Sequence, residues 1–153
     1  GEASVMRALC YFNLVRIYDH VPLITEDIPE ITTENIDQIY PLLYPAQTSK
    51  DSVYTQILKD LDYAIVNVPD YSGDNKFKIT KAVTNLILAQ VYATKDGVAN
   101  TDWAKVKQYA EAVVNDSRYG LLDNFDDLFT IGETAPDKVL PSVDLKYENS
   151  KAS

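Results

Sequence analysis

Tyr40 and Tyr44 are the side chains whose type and spacing best suit a binding surface. They stand four positions apart in the segment 21–50, which shows no long helical period. The segment contains a series of prolines at Pro22, Pro29, Pro41 and Pro45. A tyrosine ring offers a flat apolar face and a hydroxyl, so it suits a sugar face or a protein partner. Because loops on rigid scaffolds often carry binding function, we predict Tyr40 and Tyr44 as ligand-binding residues with at least one ring exposed. The alternative is that both rings are tucked over the helices beneath.

The sequence contains no comparable pattern of residues that would indicate catalysis. The only histidine, His20, follows the end of a predicted helix, and no nucleophile motif accompanies it. A histidine beside a helix C-terminus is favourably placed there, and we expect this role for His20. Asp126 and Asp127 are adjacent and would point apart on a helix, so a capping or surface role is expected. We therefore predict no catalytic residues, no cofactor and no enzymatic activity.

Metal ligation is equally weakly indicated. The run from Asp70 to Asp74 resembles the start of a calcium loop, but Asn75 and Lys81 stand where that loop needs glycine and a bidentate glutamate. No metal site is predicted. The single cysteine, Cys10, lies in an apolar helical run and is expected to be buried and unreactive. Trp103 could be a sugar-stacking platform, but an aromatic at the start of a paired helix is expected to pack into the core.

Composition and charge narrow the classes of partner. Hydrophobic residues make up 46% of the 153 residues, which is typical of a globular domain. The formal net charge is −9, and the basic residues form no dense cluster. A polyanion repels phosphate backbones, so nucleic acid is excluded as an expected partner. The sequence also lacks an uninterrupted apolar stretch of the roughly 18 residues that a membrane span requires.

Helical periodicity predicts the elements that must position these residues. Four helices are expected. The first begins near Glu2, and the N-caps of the other three are Asp51 or Ser52, Thr80, and Asp102. The first is apolar on nearly every side and is expected to be covered on several sides. A segment around 142–147 alternates well enough for an extended strand. The prediction is an all-α core of stacked antiparallel helix pairs, with a long irregular excursion over 21–50 between the first two helices.

A repeated pattern supports the pairing. Leu14–Tyr18 recurs as Leu88–Tyr92, and each is followed by another amphipathic helix, as in tetratricopeptide repeats. This predicts that Leu14 with Tyr18, and Leu88 with Tyr92, are buried at equivalent places. Two helix pairs are fewer than the roughly three that bury a continuous solenoid core. We therefore expect residues 1–153 to be a single helical-repeat domain and a piece of a longer protein.

The ordered series of motifs resembles the SusD/RagB family. Four segments carry the resemblance in family order: Glu2–Tyr18, Val21–Glu26, Val53–Pro69 and Lys81–Phe129. Three stretches within these segments resemble the family's motifs. They are YFNLVRIY at 11–18, VPLITE at 21–26, and the series Val53-Tyr54, Ile57, Asp60-Leu61 and Ala64. The family usually has glycines where Asp19 and His20 stand, so the turn geometry there is expected to differ.

The resemblance implies a fold, a location and a function. It implies a helical-repeat protein that is lipid-anchored outside the outer membrane, with its anchor not within residues 1–153. It also implies that the protein helps to capture glycans or other nutrients without catalysis, together with a SusC-like TonB-dependent transporter. The alternative from the same scaffold is a tetratricopeptide-type protein–protein adaptor with no small-molecule ligand.

Overall fold

The computed structural model describes residues 1–27, 29–72 and 77–121. The helices are α1 (Glu2–Tyr18), α2 (Ile36–Ile39), α3 (Lys50–Asn67), α4 (Lys81–Thr94) and α5 (Trp103–Val114). Short 3-10 helices cover Tyr40–Leu43 and Val98–Asn100, and the two strands are β1 (Val21–Pro22) and β2 (Gln47–Thr48). The chain divides into two compact units, one of Ala3–Tyr63 and one of Gly1–Glu2 with the residues from Ala64 onward.

In the first unit, α1 and α3 form an antiparallel pair. The Arg7 side chain bonds Asp60, and the Phe12 ring meets the Tyr54 ring edge-on at 6.3 Å, so the two helices run in opposite directions. Val5, Ala8, Phe12 and Val15 of α1 are buried, as are Val53, Ile57 and Leu61 of α3. This spacing places each set on one helix face, where its burial from water drives the pairing.

The N-terminus of α3 differs slightly from the prediction. The helix begins at Lys50, and the Val53 amide donates to the Ser49 carbonyl at 3.1 Å. The Ser49 hydroxyl accepts from the Ser52 amide at 3.4 Å, so Ser49 is the cap rather than Asp51 or Ser52. The sequence Ser-Lys-Asp-Ser offers several capping side chains in succession, and spacing alone does not choose among them.

In the second unit, α4 and α5 form another antiparallel pair. The Tyr92 and Tyr109 rings stack at 5.7 Å, and the Thr80 hydroxyl before α4 lies 3.4 Å from the Tyr119 hydroxyl after α5. Gly97 has φ 73° in the turn between the helices, a conformation that glycine adopts without steric cost. The Asp102 carboxylate then accepts the Lys105 amide at 3.1 Å and caps α5, as predicted.

A cluster of charged side chains connects the start of α4 with the segment that follows α5. Lys81 Nζ bonds Asp70 at 2.9 Å, and this hydrogen bond is the main cause that lowers the pKa of Asp70. Arg118 Nη2 bonds Asp116 at 2.6 Å and lies 3.4 Å from Asp70. The hydrogen bonds from Arg118 lower the pKa of Asp116. Both carboxylates are therefore stabilised in their charged forms.

The predicted all-α class with antiparallel pairs and a long excursion is confirmed for the described residues. The repeat prediction holds in part. Leu88 and Tyr92 are buried, but Leu14 and Tyr18 are 39% and 65% exposed, so their predicted burial is wrong. The buried residues of α1 lie on the opposite side of the helix from Leu14, because a period of 3.6 places Val5, Ala8, Phe12 and Val15 together.

Of the remaining predictions on the fold, one is wrong and two are not tested by the described residues. Cys10 is exposed, which corrects the prediction of a buried thiol, since this position also lies away from the buried face. None of the described helices is both long and apolar enough to cross a membrane. The predicted strand around 142–147 lies outside the described residues, and a single domain over 1–153 stays a prediction.

Candidate functional site

The excursion over 21–50 is closed at its base by a small antiparallel ladder. Val21 pairs with Thr48 and Pro22 pairs with Gln47, so the two ends of the excursion meet directly after α1 and directly before α3. Val21 is buried, which anchors this base against the helices of its unit. Closing the loop at its base limits the conformations available to the residues between the strands.

The Tyr11 hydroxyl fixes the first part of the excursion. It donates to the Ile24 carbonyl at 3.1 Å and accepts from the Ile24 amide at 2.7 Å. The Arg7 guanidinium also donates to the Thr25 carbonyl at 3.2 Å. A backbone stretch with no strand partner thus obtains its hydrogen bonds from side chains of α1.

Arg7 is itself held by a charge-assisted pair with Asp60. Arg7 Nε bonds Asp60 Oδ2 at 2.7 Å and Nη2 bonds Oδ1 at 2.6 Å, which is a bidentate arrangement. Gln56 Nε2 adds a third donor to Asp60 Oδ1 at 2.8 Å. The Asp60 side chain is only 6% exposed, and its hydrogen bond is the main cause that raises the pKa of Arg7. This network connects α3, α1 and the Thr25 backbone.

The second part of the excursion is arranged by a turn and two short helices. The Asn35 side chain accepts the Thr32 amide at 2.8 Å and donates to the Glu30 carbonyl at 2.9 Å, ordering the approach to α2. Ile39 at the end of α2 is buried. Pro41 stands near the start of the following 3-10 helix, where its fixed φ is favourable.

Tyr40 and Tyr44 then lie together on the surface. Their ring centroids are 5.2 Å apart with the planes tilted by 53°, a favourable geometry for an aromatic pair. The side chains are 59% and 70% exposed. The predicted exposure of at least one ring is confirmed, and the alternative of two rings packed over the helices is wrong. Their role in binding stays a prediction.

A surface cleft of about 390 Å³ lies in the same segment. It is lined by residues from both halves of the excursion: Leu23, Ile24, Thr25, Glu26, Asp27, Pro29, Pro41, Leu42 and Pro45. Pro41 and Pro45 directly follow Tyr40 and Tyr44 in sequence, but the two tyrosines are not among the residues that line the cleft. Its walls are mainly apolar, and Glu26 and Asp27 supply carboxylates that accept hydrogen bonds. Such a combination of apolar walls and few polar groups is typical of small-molecule sites.

The other sequence candidates lie elsewhere. His20 follows the end of α1, where its Nδ1 lies 2.8 Å from an Asp19 carboxylate oxygen. Trp103 is 60% exposed, so its predicted packing in the core is wrong; it is the first residue of α5, where few neighbouring turns surround it. The calcium-like run from Asp70 to Asp74 lies partly outside the described residues, and Asp126 with Asp127 lies wholly outside them.

The clamp formed by Arg7, Tyr11 and Asp60 was not recognised as functional from the sequence. A signal existed, because Asp60 stands directly before Leu61 in the apolar stripe of α3. Arg7 likewise interrupts the apolar run of α1. Charged residues are rarely buried unless they are paired, so two such interruptions on neighbouring helices indicate a pair. Within the part of the chain described here, no three metal-ligating side chains come together.

The chain belongs to the SusD-like family. The family model, described as "Starch-binding associating with outer membrane", matches residues 1–115. A SusD-like protein of Bacteroides ovatus is 33% identical over an alignment of 135 residues, and the match covers 84% of this chain and 23% of that protein. These findings confirm the resemblance that the helix motifs indicated.

Solved structures agree with this assignment. A laminarin binding SusD-like protein superposes with a TM-score of 0.70 and 30% identity, over 91% of this chain and 29% of that one. A structure with xylogluco-oligosaccharide gives a TM-score of 0.63 and 30% identity, over 84% of this chain and 25% of that one. The chain spans 23–25% of the length of the curated relatives it matches.

Proposed function

We propose that this chain is part of a non-enzymatic glycan-binding protein of the outer membrane, and that Tyr40 and Tyr44 contribute to the glycan site. The observation that carries the proposal is an exposed tyrosine pair in the same segment as a cleft, in a SusD-like chain. Similar proteins include one that binds laminarin and one solved with xylogluco-oligosaccharide.

The chemistry of the site suits a sugar chain. A pyranose has apolar C–H faces and a rim of hydroxyls, so it needs flat apolar surface together with hydrogen-bond acceptors. The two rings provide the flat surface. The carboxylates of Glu26 and Asp27 line the cleft and can accept from sugar hydroxyls. The prolines that line it carry no amide hydrogen and restrict the backbone, which lowers the entropic cost of holding the site open.

Among the described residues that line the cleft, the only carboxylates are those of Glu26 and Asp27, which are adjacent in sequence. Glycoside hydrolysis commonly requires two carboxyl groups on opposite sides of the scissile bond. Glu26 and Asp27 are neighbours in one chain segment and line the same cleft. We therefore expect binding without turnover, and incubation of the full-length protein with a bound glycan should release no reducing ends.

Glycan affinity of the full-length protein containing this chain tests the proposal. Isothermal titration with laminarin and xyloglucan oligosaccharides should detect binding to at least one of them. The double variant Tyr40→Ala/Tyr44→Ala should weaken that binding by at least about tenfold, or 1.4 kcal/mol, because truncated aromatic anchors typically cost this much or more. The double variant Tyr40→Phe/Tyr44→Phe keeps both rings and should retain most of the affinity.

Trp103→Ala is the matched control, since Trp103 is an aromatic of similar exposure in the other compact unit. Unchanged affinity in the tyrosine double alanine variant, with a loss in Trp103→Ala, would place the site on α5 instead. A full-length protein that binds no glycan on an array would favour the protein–protein adaptor. The proposed action with a SusC-like TonB-dependent transporter predicts that the two proteins copurify from solubilised outer membranes.

A further inference from the structure

The excursion between α1 and α3 carries many acidic side chains and almost no basic ones. Residues 17–49 contain no lysine or arginine, and the five carboxylates within 21–49 account for more than half of the formal net charge of −9. Lys50, which ends the excursion, lies 3.4 Å from an Asp19 carboxylate oxygen. The excursion therefore has an excess of negative charge. All five acidic side chains are exposed: Glu26, Asp27, Glu30, Glu34 and Asp37.

Glu26 and Asp27 place part of this charge at the cleft. Within residues 1–27, 29–72 and 77–121, neither carboxylate forms an ion pair with a lysine or arginine. A cleft that combines charges of one sign with apolar walls of low dielectric concentrates the electric field inside it. A molecule that enters the cleft therefore meets an uncompensated negative field. The apolar walls are formed by Leu23, Ile24, Pro29, Pro41, Leu42 and Pro45.

Arg7 reaches the cleft segment, but its charge is compensated by Asp60. One of its guanidinium nitrogens donates to the carbonyl of Thr25, a residue that lines the cleft, at 3.2 Å. The other two nitrogens form the bidentate pair with Asp60 at 2.7 Å and 2.6 Å. An anion in the cleft would have to compete with this pair for the guanidinium. Arg7 therefore does not offset the charge of Glu26 and Asp27.

Backbone donors for an anion are also scarce along the cleft. Pro29, Pro41 and Pro45 have no amide hydrogen. The Ile24 amide already donates to the Tyr11 hydroxyl at 2.7 Å. Anions are bound in proteins by free amide groups or by cationic side chains, and the cleft is poor in both. A sugar hydroxyl needs neither, because it can donate its own hydrogen to a carboxylate.

We propose that Glu26 and Asp27 make the candidate site selective for uncharged glycans over glycans that carry carboxylate or sulfate groups. The inference rests on the proposed function, since it assigns a class of glycan to that same site. A hydroxyl of an uncharged sugar donates to either carboxylate. A uronate or sulfate at the same place would bring like charges together, which lowers affinity. The two acidic residues thus favour one class of glycan and exclude the other.

Titration calorimetry of the full-length protein with three matched ligands tests the selectivity. The first is the laminarin or xyloglucan oligosaccharide that binds more tightly. The second is the same oligosaccharide oxidised to carboxylates at its C6 hydroxyls, and the third is the methyl ester of the oxidised form, which lacks the charge. In about 0.1 M salt, the oxidised form should bind at least about tenfold more weakly than its ester. In about 1 M salt this ratio should fall below about threefold, because the Debye length decreases from about 10 Å to about 3 Å.

Two pairs of substitutions locate the charges that matter. Glu26→Gln/Asp27→Asn removes both charges with little change in size, so the ratio between the affinities for the ester and the oxidised form should fall below about threefold. This ratio is the quantity of interest whatever happens to the affinity for the uncharged oligosaccharide. Glu34→Gln/Asp37→Asn is the matched control, because it makes the same change of charge in the same segment at residues that do not line the cleft. The control should keep most of the ratio.

Each contrary result has a distinct meaning. Equal affinities for the oxidised form and its ester would overturn this inference and leave the proposed glycan binding intact. A ratio that persists in Glu26→Gln/Asp27→Asn would refute the role of these carboxylates, and one that persists in 1 M salt would show that shape excludes the oxidised form. An equal loss in the control would assign the selectivity to the charge of the whole excursion. If none of the three ligands binds, the proposed function fails and this inference fails with it. Should the double variant not fold, the salt dependence of the unmodified protein still decides.

Discussion

Replacing Tyr11 with phenylalanine removes one oxygen atom and two hydrogen bonds from the base of the candidate site. The hydroxyl donates to the Ile24 carbonyl at 3.1 Å and accepts the Ile24 amide at 2.7 Å, while the ring stays in place. Each such bond contributes about 1 kcal/mol net. Ile24 is 46% exposed, so water can reach the released groups and no further penalty for buried unpaired groups is expected. The local loss is therefore about 2 kcal/mol.

Amide hydrogen exchange of the full-length protein measures this loss where it occurs. Exchange at Ile24 should accelerate by about 30-fold, which corresponds to about 2 kcal/mol of local opening free energy. The exchange rate is measured by mass spectrometry as the deuterium uptake of peptides that cover residues 21–27. Tyr18→Phe is the control, because it makes the same chemical change at an exposed position of α1 and should leave Ile24 exchange unaltered. A change below twofold in Tyr11→Phe would refute the view that this hydroxyl holds the excursion.

Three further predictions concern the charged residues. Asp60→Ala should cost about 2–3 kcal/mol because it leaves Arg7 unpaired and partly buried, and the double variant Arg7→Met/Asp60→Leu should recover most of that loss in thermal or chemical unfolding. Asp19 has φ 62°, so Asp19→Gly should be more stable than Asp19→Val by at least about 1 kcal/mol, and equal melting temperatures would contradict this. The lowered pKa values of Asp70 and Asp116 stabilise the fold above pH about 4, and this contribution should be lost as the pH falls below that value. Asp70→Asn/Asp116→Asn should flatten that acid dependence in circular dichroism.

Helix α3 shows what local pattern was sufficient to predict. Its stripe of Val53, Ile57 and Leu61 recurs every four residues with mostly polar residues between, so the pattern favoured one face for the core, and all three residues are fully buried. The exposure of Tyr40 and Tyr44 was predictable for a related reason. Closely spaced prolines prevent a long helix there, and a short irregular segment has few neighbours with which to cover two large rings.

Helix α1 shows where local pattern was insufficient. It is apolar on opposite faces, so periodicity could not decide which face enters the core of its unit. The predicted burial of Cys10, Leu14 and Tyr18 was wrong for this reason. The clamp at Asp60 was missed because its partner Arg7 is distant in sequence, and such a contact depends on how the helices pair rather than on local periodicity.

The exposed apolar residues of the first unit are of two chemical kinds, and the difference bears on function. The exposed face of α1, formed by Met6, Cys10, Leu14 and Ile17, consists of aliphatic groups and a thiol, which gain little from hydration, so its exposure to water is unfavourable. Tyr40 and Tyr44 keep their hydroxyls in water and their rings against each other, so they tolerate exposure without a partner. A surface that is stable while uncovered is suited to a ligand that comes and goes. The tyrosine pair is thus suited to the reversible glycan contact proposed for it.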